Sequence, residues 1–488
     1  MAGRSIAKRS LGIRSRWPEP GIAASAIAPF AVAYDPLSAN EYRETVTLAE
    51  RIVTGSATAV ADRPALAAHV TPRPNAQPAP VATKRGFRFS GGLAALESHN
   101  FQLLFQGSLV TQIGMWMQQV AFGWLVLEMT DSPFYLGLAG FFRALPMLLI
   151  APFGGVLADR LDRRRLLIAS QLAIAGFSAV LAVMVGAGVA RPWHLLLVSF
   201  LMGCAFSLNM PARQAMVAQL VTKDQLPSAV ALNSMSMNSS RVVGPALAGG
   251  LIGIIGVAGC LMLHAVAYVW SVVNVIQIRA PTNERRARDA SVLQNLAEGF
   301  RYCYEEKSVF GMLALATLTT VFGMQYMQLL PALARDVLGM GADGFGMLMT
   351  ATGVGAVAGS VYVAGSNARH NRGTLLLLSA IGFGGFLCAL SFTTNPLAVM
   401  ALLAAAGGSN AVLMALNQTI IQETVPDHLR GRVMSAYMVT FGLTPLGALP
   451  AGAIAEQYGT PIAIFVGGFL CYVGALWVFM FRPQFRSI

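Results

Sequence analysis

From about residue 103 onward the chain alternates between long apolar stretches and short polar breaks. Twelve such stretches are read, near 104–127, 134–157, 166–187, 194–218, 229–253, 257–278, 309–331, 343–366, 373–393, 396–419, 433–455 and 459–481. Each is about 20 residues or longer, the helical length that crosses a hydrocarbon core of about 30 Å. Lipid offers no partner to a free amide, so each stretch is expected to be a helix. The longest break, 279–308, is a charged central loop. It separates an N-terminal six-helix bundle, 93–278, from a C-terminal one, 309–488. Within it "LQNLAEGFRYCYEE" has the pattern of an amphipathic helix on the inner surface. Residues 1–92 differ from the rest. They are rich in Ala, Pro, Arg and Ser, without an apolar stripe or an 18-residue apolar run. They read as a disordered cytoplasmic extension. The alternative is that translation starts further on and the extension is never made. Its basic start (Arg4, Lys8, Arg9, Arg14, Arg16) is not followed by a long apolar region, so no signal peptide is expected.

Composition strengthens this reading. Of 488 residues, 55% are hydrophobic and only 11% charged, against about 25% charged in a soluble domain. There is too little polar surface to coat a water-soluble particle of this size. The five cysteines are scattered, without metal-ligand or disulfide spacing, and no metal or cofactor is expected. The net charge of +12 raises the question of nucleic acid. Distribution answers it. With the first helix starting inside, the inside loops carry 17 of the Lys and Arg residues after position 100. The outside loops carry Arg191 and Arg335, and Arg143, Arg213 and Arg241 stay within spans. This bias places both termini in the cytoplasm and accounts for the charge without nucleic acid. The expected location is the inner (cytoplasmic) membrane.

The two halves echo each other. "RQAMVAQLVTKDQLPSAVALNS" (213–234) aligns with "NQTIIQETVPDHLRGRVMSAYM" (417–438), sharing Gln214/Gln418 and Val221/Val425. One residue of slippage later, "GPALAG" (244–249) meets "GALPAG" (447–452). Repeated halves with a cavity between them are the design of many secondary transporters.

Three motifs carry a resemblance. In "GGVLADRLDRRRLL" (154–167) the spacing Gly155-x-x-x-Asp159-Arg160-x-x-Arg163-Arg164 resembles the loop signature of the major facilitator superfamily, with Asp162 where the usual pattern has Gly. "RVVGPALAGG" (241–250) resembles the Gly-Pro-x-x-Gly-Gly signature of its proton-linked drug exporters, with Ala248 in place of one Gly. "WLVLEMTDSPFYLGL" (124–138), "MPARQAMVAQLV" (210–221) and "VPDHLRGRVMSAY" (425–437) resemble its transmembrane secretion effector branch, of the enterobactin-exporter and macrolide-efflux type. The resemblance covers about 95–482. It implies an all-α membrane protein of twelve helices, two pseudo-symmetric six-helix bundles around a central cavity, rocking between inward- and outward-open forms. By the same resemblance Asp159 pairs with the positive end of the helix beginning near Val433. Gly155, Asp159, Arg160, Arg163, Arg164, Gly244, Pro245 and Gly249 then form the conformational switch. The arginines also serve as ordinary positive-inside residues, and the glycines as a packing face. The second-half loop "GSNARHNRG" (365–373) lacks the Asp.

Buried polar residues in spans are informative. The superfamily lines its cavity with the first, fourth, seventh and tenth spans, which here carry Gln112, Trp116, Gln119, Asn209, Gln325, Gln328 and Asn410. Gln112, Trp116 and Gln119 share one helical face. Amides and an indole suit a large, partly aromatic substrate, and Met115, Met117, Met324 and Met327 add adaptable surface. The same amides also serve to bond helix to helix. Arg143 and Arg241 are costly mid-span charges that either attract an anionic substrate or pair with carbonyls and support the fold. Past residue 100 no Asp or Glu sits at mid-membrane. The proton-coupling candidates are Glu128, His264 and Glu423, and His264 alternatively is a structural histidine. The expected function is export of small amphipathic molecules, drug- or siderophore-like, by proton antiport in a single chain that is not an enzyme. An uptake carrier of the same fold and a non-transporting scaffold or sensor are the alternatives.

Overall fold

The apolar stretches fold as helices, and no strand occurs among the described residues. A computed structural model describes residues 93–481 apart from 161, 279–291 and 366–371; the side chains of 151–160, 292–297 and 428 also lie outside the described residues. The expected extension, 1–92, therefore lies outside them.

Helix α1 (His99–Thr130) is capped by Ser98, whose side chain accepts from Phe101 N. It ends at Asp131, held at a left-handed φ of 52°. After this turn α2 (Pro133–Arg160) begins. The start of α3 (Arg163–Gly186) explains the departure from the loop signature. The Asp162 carboxylate accepts from Arg164 N and Arg165 N at 2.9 and 3.2 Å, so the residue found in place of Gly is the helix N-cap. Helix α4 spans Pro192–Leu220.

The next element, α5 (Leu226–Gln277), is 52 residues long with a single non-helical residue, Gly256, at φ 69° and ψ 176°. A straight helix of that length would measure about 78 Å. It is instead a hairpin, because residues near both of its ends, Leu232 and Val275, meet in one core cluster with Phe101 and Leu104. Only glycine takes this φ freely, and it reverses the chain where the sequence places the break between two spans. Both arms pack on α1, the first through Gly244 against Trp116 and the second through Ser271 against Gly107.

Helix α6 (Val292–Glu305) follows, where an amphipathic helix was expected. Its Cys303 is buried, which pushes the thiol pKa up and keeps it protonated. Its Glu298 pairs with Arg432. The seventh apolar stretch, Lys307–Val337, is broken into α7 (Lys307–Leu318), a wide turn at Thr319–Gly323, α8 (Tyr326–Ala332) and a second wide turn at Leu333–Val337. Then come α9 (Ala342–Gly365), α10 (Arg372–Leu390), α11 (Pro396–Thr424), α12 (Asp427–Gly442), α13 (Thr444–Tyr458) and α14 (Thr460–Phe481). Pro445 separates α12 from α13 because it lacks the amide that would continue the ladder.

Ten of the described helical segments are long and apolar enough to cross a membrane. Helix α1 is not among the ten. Its glutamines 102, 106, 112, 118 and 119 lower its hydropathy. The described residues belong to one compact unit, Gly86–Ile488. Its two halves meet along α5 with α9 and along α2 with α13. The largest core cluster spans both halves, joining Trp116, Val120 and Leu136 to Leu330, Phe345 and Ala455.

Candidate functional site

Between these seams lies a cleft of about 400 Å³, open solvent included. Gln119, Phe122 and Val126 line it from α1, and Leu136, Ala139 and Arg143 from α2. Met327, Gln328 and Pro331 come from α8, and Phe345 from α9. Both halves therefore contribute, and the walls are apolar around two amides and one guanidinium. Arg143 has no hydrogen-bond or ion-pair partner among the described residues.

One turn along α1, Trp116 faces α5. Arg241 Cζ lies 5.3 Å from the centre of its ring, a cation–π stack. The indole Nε1 and the Arg241 Nε are both buried without a hydrogen-bond partner. Glycines set these positions. A Cβ on Gly244 would lie 2.5 Å from Trp116 Cβ, and one on Gly203 would lie 2.3 Å from the Arg143 carbonyl oxygen. The contact is possible only without a side chain, so α5 is drawn onto Trp116 and α4 onto Arg143.

Other expected cavity residues are tied to neighbouring helices. Gln112 Nε2 donates to Ser236 Oγ at 3.2 Å, and Asn209 Nδ2 to Ser170 Oγ at 3.1 Å. Gln325 repairs the first wide turn. Met324 N bonds Thr319 O, five residues back, and Gln325 Nε2 donates to Thr320 O at 3.1 Å and Thr444 O at 3.2 Å. Asn410 is buried with its carboxamide oxygen unpaired. Of the methionines, Met327 lines the cleft, Met117 is in the core, and Met115 and Met324 pack partly buried against it.

Among the coupling candidates, His264 is 2% exposed, its Nδ1 2.9 Å from Ser178 Oγ and its ring edge-on to Tyr268. Glu423 accepts from Arg372 with both oxygens at 2.7 Å, and Glu128 is exposed at the end of α1.

Of the switch residues, Gly155, Asp159 and Arg160 fall in α2, and the side chains of the last two lie outside the described residues. Arg163 is half-buried. Arg164 Nε donates to Val275 O at 3.1 Å and its NH2 to Ile276 O, satisfying the last carbonyls of α5. The Gly-Pro segment forms the α5–α9 seam. Gly249 faces the Asp343 backbone, and Gly346 faces Pro245 O.

One cluster was not singled out from sequence. Arg335, in the second half, donates to Asp131 at 2.5 Å and to Leu127 O at 3.2 Å. Glu456 of α13 accepts from Ser132 Oγ at 2.8 Å and Phe134 N at 3.2 Å, which places a carboxylate at the α2 N-terminus. The α1–α2 turn is thus clasped from both sides by the second half. The available signal was the pairing of opposite charges in loops that otherwise hold few.

Residues 90–487 match the sequence profile described as transmembrane secretion effector. The chain belongs to this family of the major facilitator superfamily. It is similar to the staphyloferrin A transporter of Staphylococcus aureus (27% identity, covering 73% of this chain and 89% of the relative). It is similar too to the enterobactin exporter EntS of Shigella boydii (28%; 70% and 82%) and to macrolide efflux protein A of Streptococcus pyogenes (23%; 74% and 90%). Its fold is shared with the nucleoside transporter NupG (TM-score 0.60, 12% identity; 78% and 99% covered) and with a D-xylose–proton symporter (0.59, 13%; 80% and 98%). The family and the fold are those of multi-pass membrane transporters, not enzymes.

Proposed function

We propose that the protein exports small amphipathic molecules across the cytoplasmic membrane by alternating access, driven by proton antiport and working as a single chain. We count twelve spans in two six-helix bundles: the ten apolar segments, with the α5 hairpin counted twice and α1 added. Both termini are cytoplasmic in this reading, on the strength of the arginine distribution. The observation that carries it is the cleft, built from both halves and lined by polar groups on an apolar wall. The clasp on the α1–α2 turn supports a state closed toward the outside and facing the cytoplasm, the side from which an exporter loads. Arg143, Gln119 and Gln328, with Trp116 and Arg241 one turn away, contact substrate; Gln112, Asn209 and Gln325 tie the helices that hold them. Glu128, Glu423 and His264 are the groups through which protons couple.

The test is uptake of fluorescent and siderophore-like compounds into inverted vesicles with an inside-acid gradient that is then collapsed. Export by antiport predicts uptake that needs both protein and gradient. Uptake indifferent to the gradient contradicts antiport, and protein-dependent uptake by right-side-out vesicles alone favours an import carrier.

A further inference from the structure

Among the described residues, the charge at mid-membrane has one sign. The described acids sit at helix ends or in loops, most of them exposed, as with Glu128, Asp131, Asp343, Glu423 and Glu456. Arg143 and Arg241, in contrast, sit along α2 and α5 without an acid, a carbonyl or an amide oxygen to receive their protons. Arginine does not escape this by losing its proton. A guanidinium at mid-membrane depth without a partner is destabilising, and for Arg241 stacking on Trp116 compensates only part of it. Arg241 lies over Trp116 of α1, and Arg143 lines the cleft that Gln119 also lines; Trp116 and Gln119 are three residues apart and so about 4.5 Å along the helix axis. Beside them Phe122, Val126, Met327 and Phe345 form an apolar wall.

We propose that the transported molecule is an amphipathic organic anion whose carboxylate is received by Arg143 and Arg241, while its apolar body lies on the wall formed by Phe122, Met327 and Phe345. The Trp116 Nε1 and the Gln119 and Gln328 amides supply further polar contacts. The missing counter-charge is brought by the substrate. The proposal rests on the transporter reading above and adds the charge class that reading leaves open. It also fits a cavity without a carboxylate of its own, since an acid there would repel such a ligand.

The experiment is equilibrium binding to the full chain in nanodiscs, with no gradient present. The probes are three naphthyl compounds alike except for the head group: carboxylate, carboxamide and trimethylammonium. The expected result is a carboxylate bound at least about tenfold tighter than the other two, the loss expected for a charged hydrogen bond. Arg143→Gln and Arg241→Gln should each remove about tenfold, and the Lys variants should retain part of the preference. Monodispersity and melting temperature of each variant separate lost binding from lost folding. Equal affinity for the three heads, a preference for the cation, a carboxylate preference untouched by both Gln variants, or no carboxylate binding up to millimolar concentration would each overturn the proposal. Because binding is read without transport, failure here leaves the export reading to the vesicle test, and the reverse also holds.

Discussion

The charges at the ends of the helices and those in their middle are treated in opposite ways. At the ends Arg335 meets Asp131 and Asp336, Arg372 meets Glu423, Arg432 meets Glu298, and Arg164 meets two terminal carbonyls. In the middle Arg143 and Arg241 meet a cleft and an indole. Arg213, further along α4, also lacks a partner among the described residues. End charges can be wet, so their pairs add little and chiefly fix geometry. Mid-membrane charges are expensive, and under the proposal above Arg143 and Arg241 are kept for what they bind rather than for what they hold. Sites that trade stability for function have this character.

That contrast can be broken experimentally, with the largest effects expected in the middle. The double variant Arg143→Gln/Arg241→Gln should lower carboxylate transport by about 100-fold, two charged contacts at about 1.4 kcal/mol each, measured as initial uptake by inverted vesicles. Gly244→Leu should lower stability by about 1–3 kcal/mol through overpacking on Trp116, read as a fall in melting temperature together with transport. Arg241→Met should do the reverse for stability. It removes an unpaired, half-buried charge, and a gain of about 1 kcal/mol is expected alongside weaker transport. A fall in melting temperature would instead make Arg241 a structural residue. At the ends, Glu456→Gln or Arg335→Gln should cost about 0.5–1 kcal/mol of the clasped state. Labelling of a cysteine placed at Ala139, from the side of the α1–α2 turn, should rise a few-fold. Smallest of all, Glu423→Gln should change stability by at most about 1 kcal/mol and leave head-group preference intact. If gradient dependence vanishes in that variant, Glu423 is the coupling group.

Much of the fold was legible because lipid permits few structures. An apolar run of 20 residues flanked by charge has to be a helix, and the break between the fifth and sixth stretches falls at Gly256, where the α5 hairpin turns. Less legible were the wide turns at Thr319–Gly323 and Leu333–Val337, since hydropathy is blind to a single extra residue in a helical turn. Of the residues proposed from sequence for the site, Gln119, Gln328 and Arg143 line the cleft, while Trp116 and Arg241 stack on each other outside its lining. The sequence did not reveal partners. Gln112, Asn209 and His264 each meet a serine on a neighbouring helix (Ser236, Ser170, Ser178), and a lone serine in an apolar span carries no periodic signal. The clasp was hidden for a similar reason. Asp131 and Arg335 are 204 residues apart and Ser132 and Glu456 324, pairs that only the packing of the halves brings together.

The most direct test of the central claim is uptake of the naphthyl carboxylate and its carboxamide by inverted vesicles, with the native chain and with the Arg143→Gln/Arg241→Gln variant at equal levels of folded protein. Uptake should be rapid and protein-dependent for the carboxylate alone, and lost in the variant. Equal uptake of both compounds, or carboxylate uptake that survives removal of both arginines, would contradict that claim.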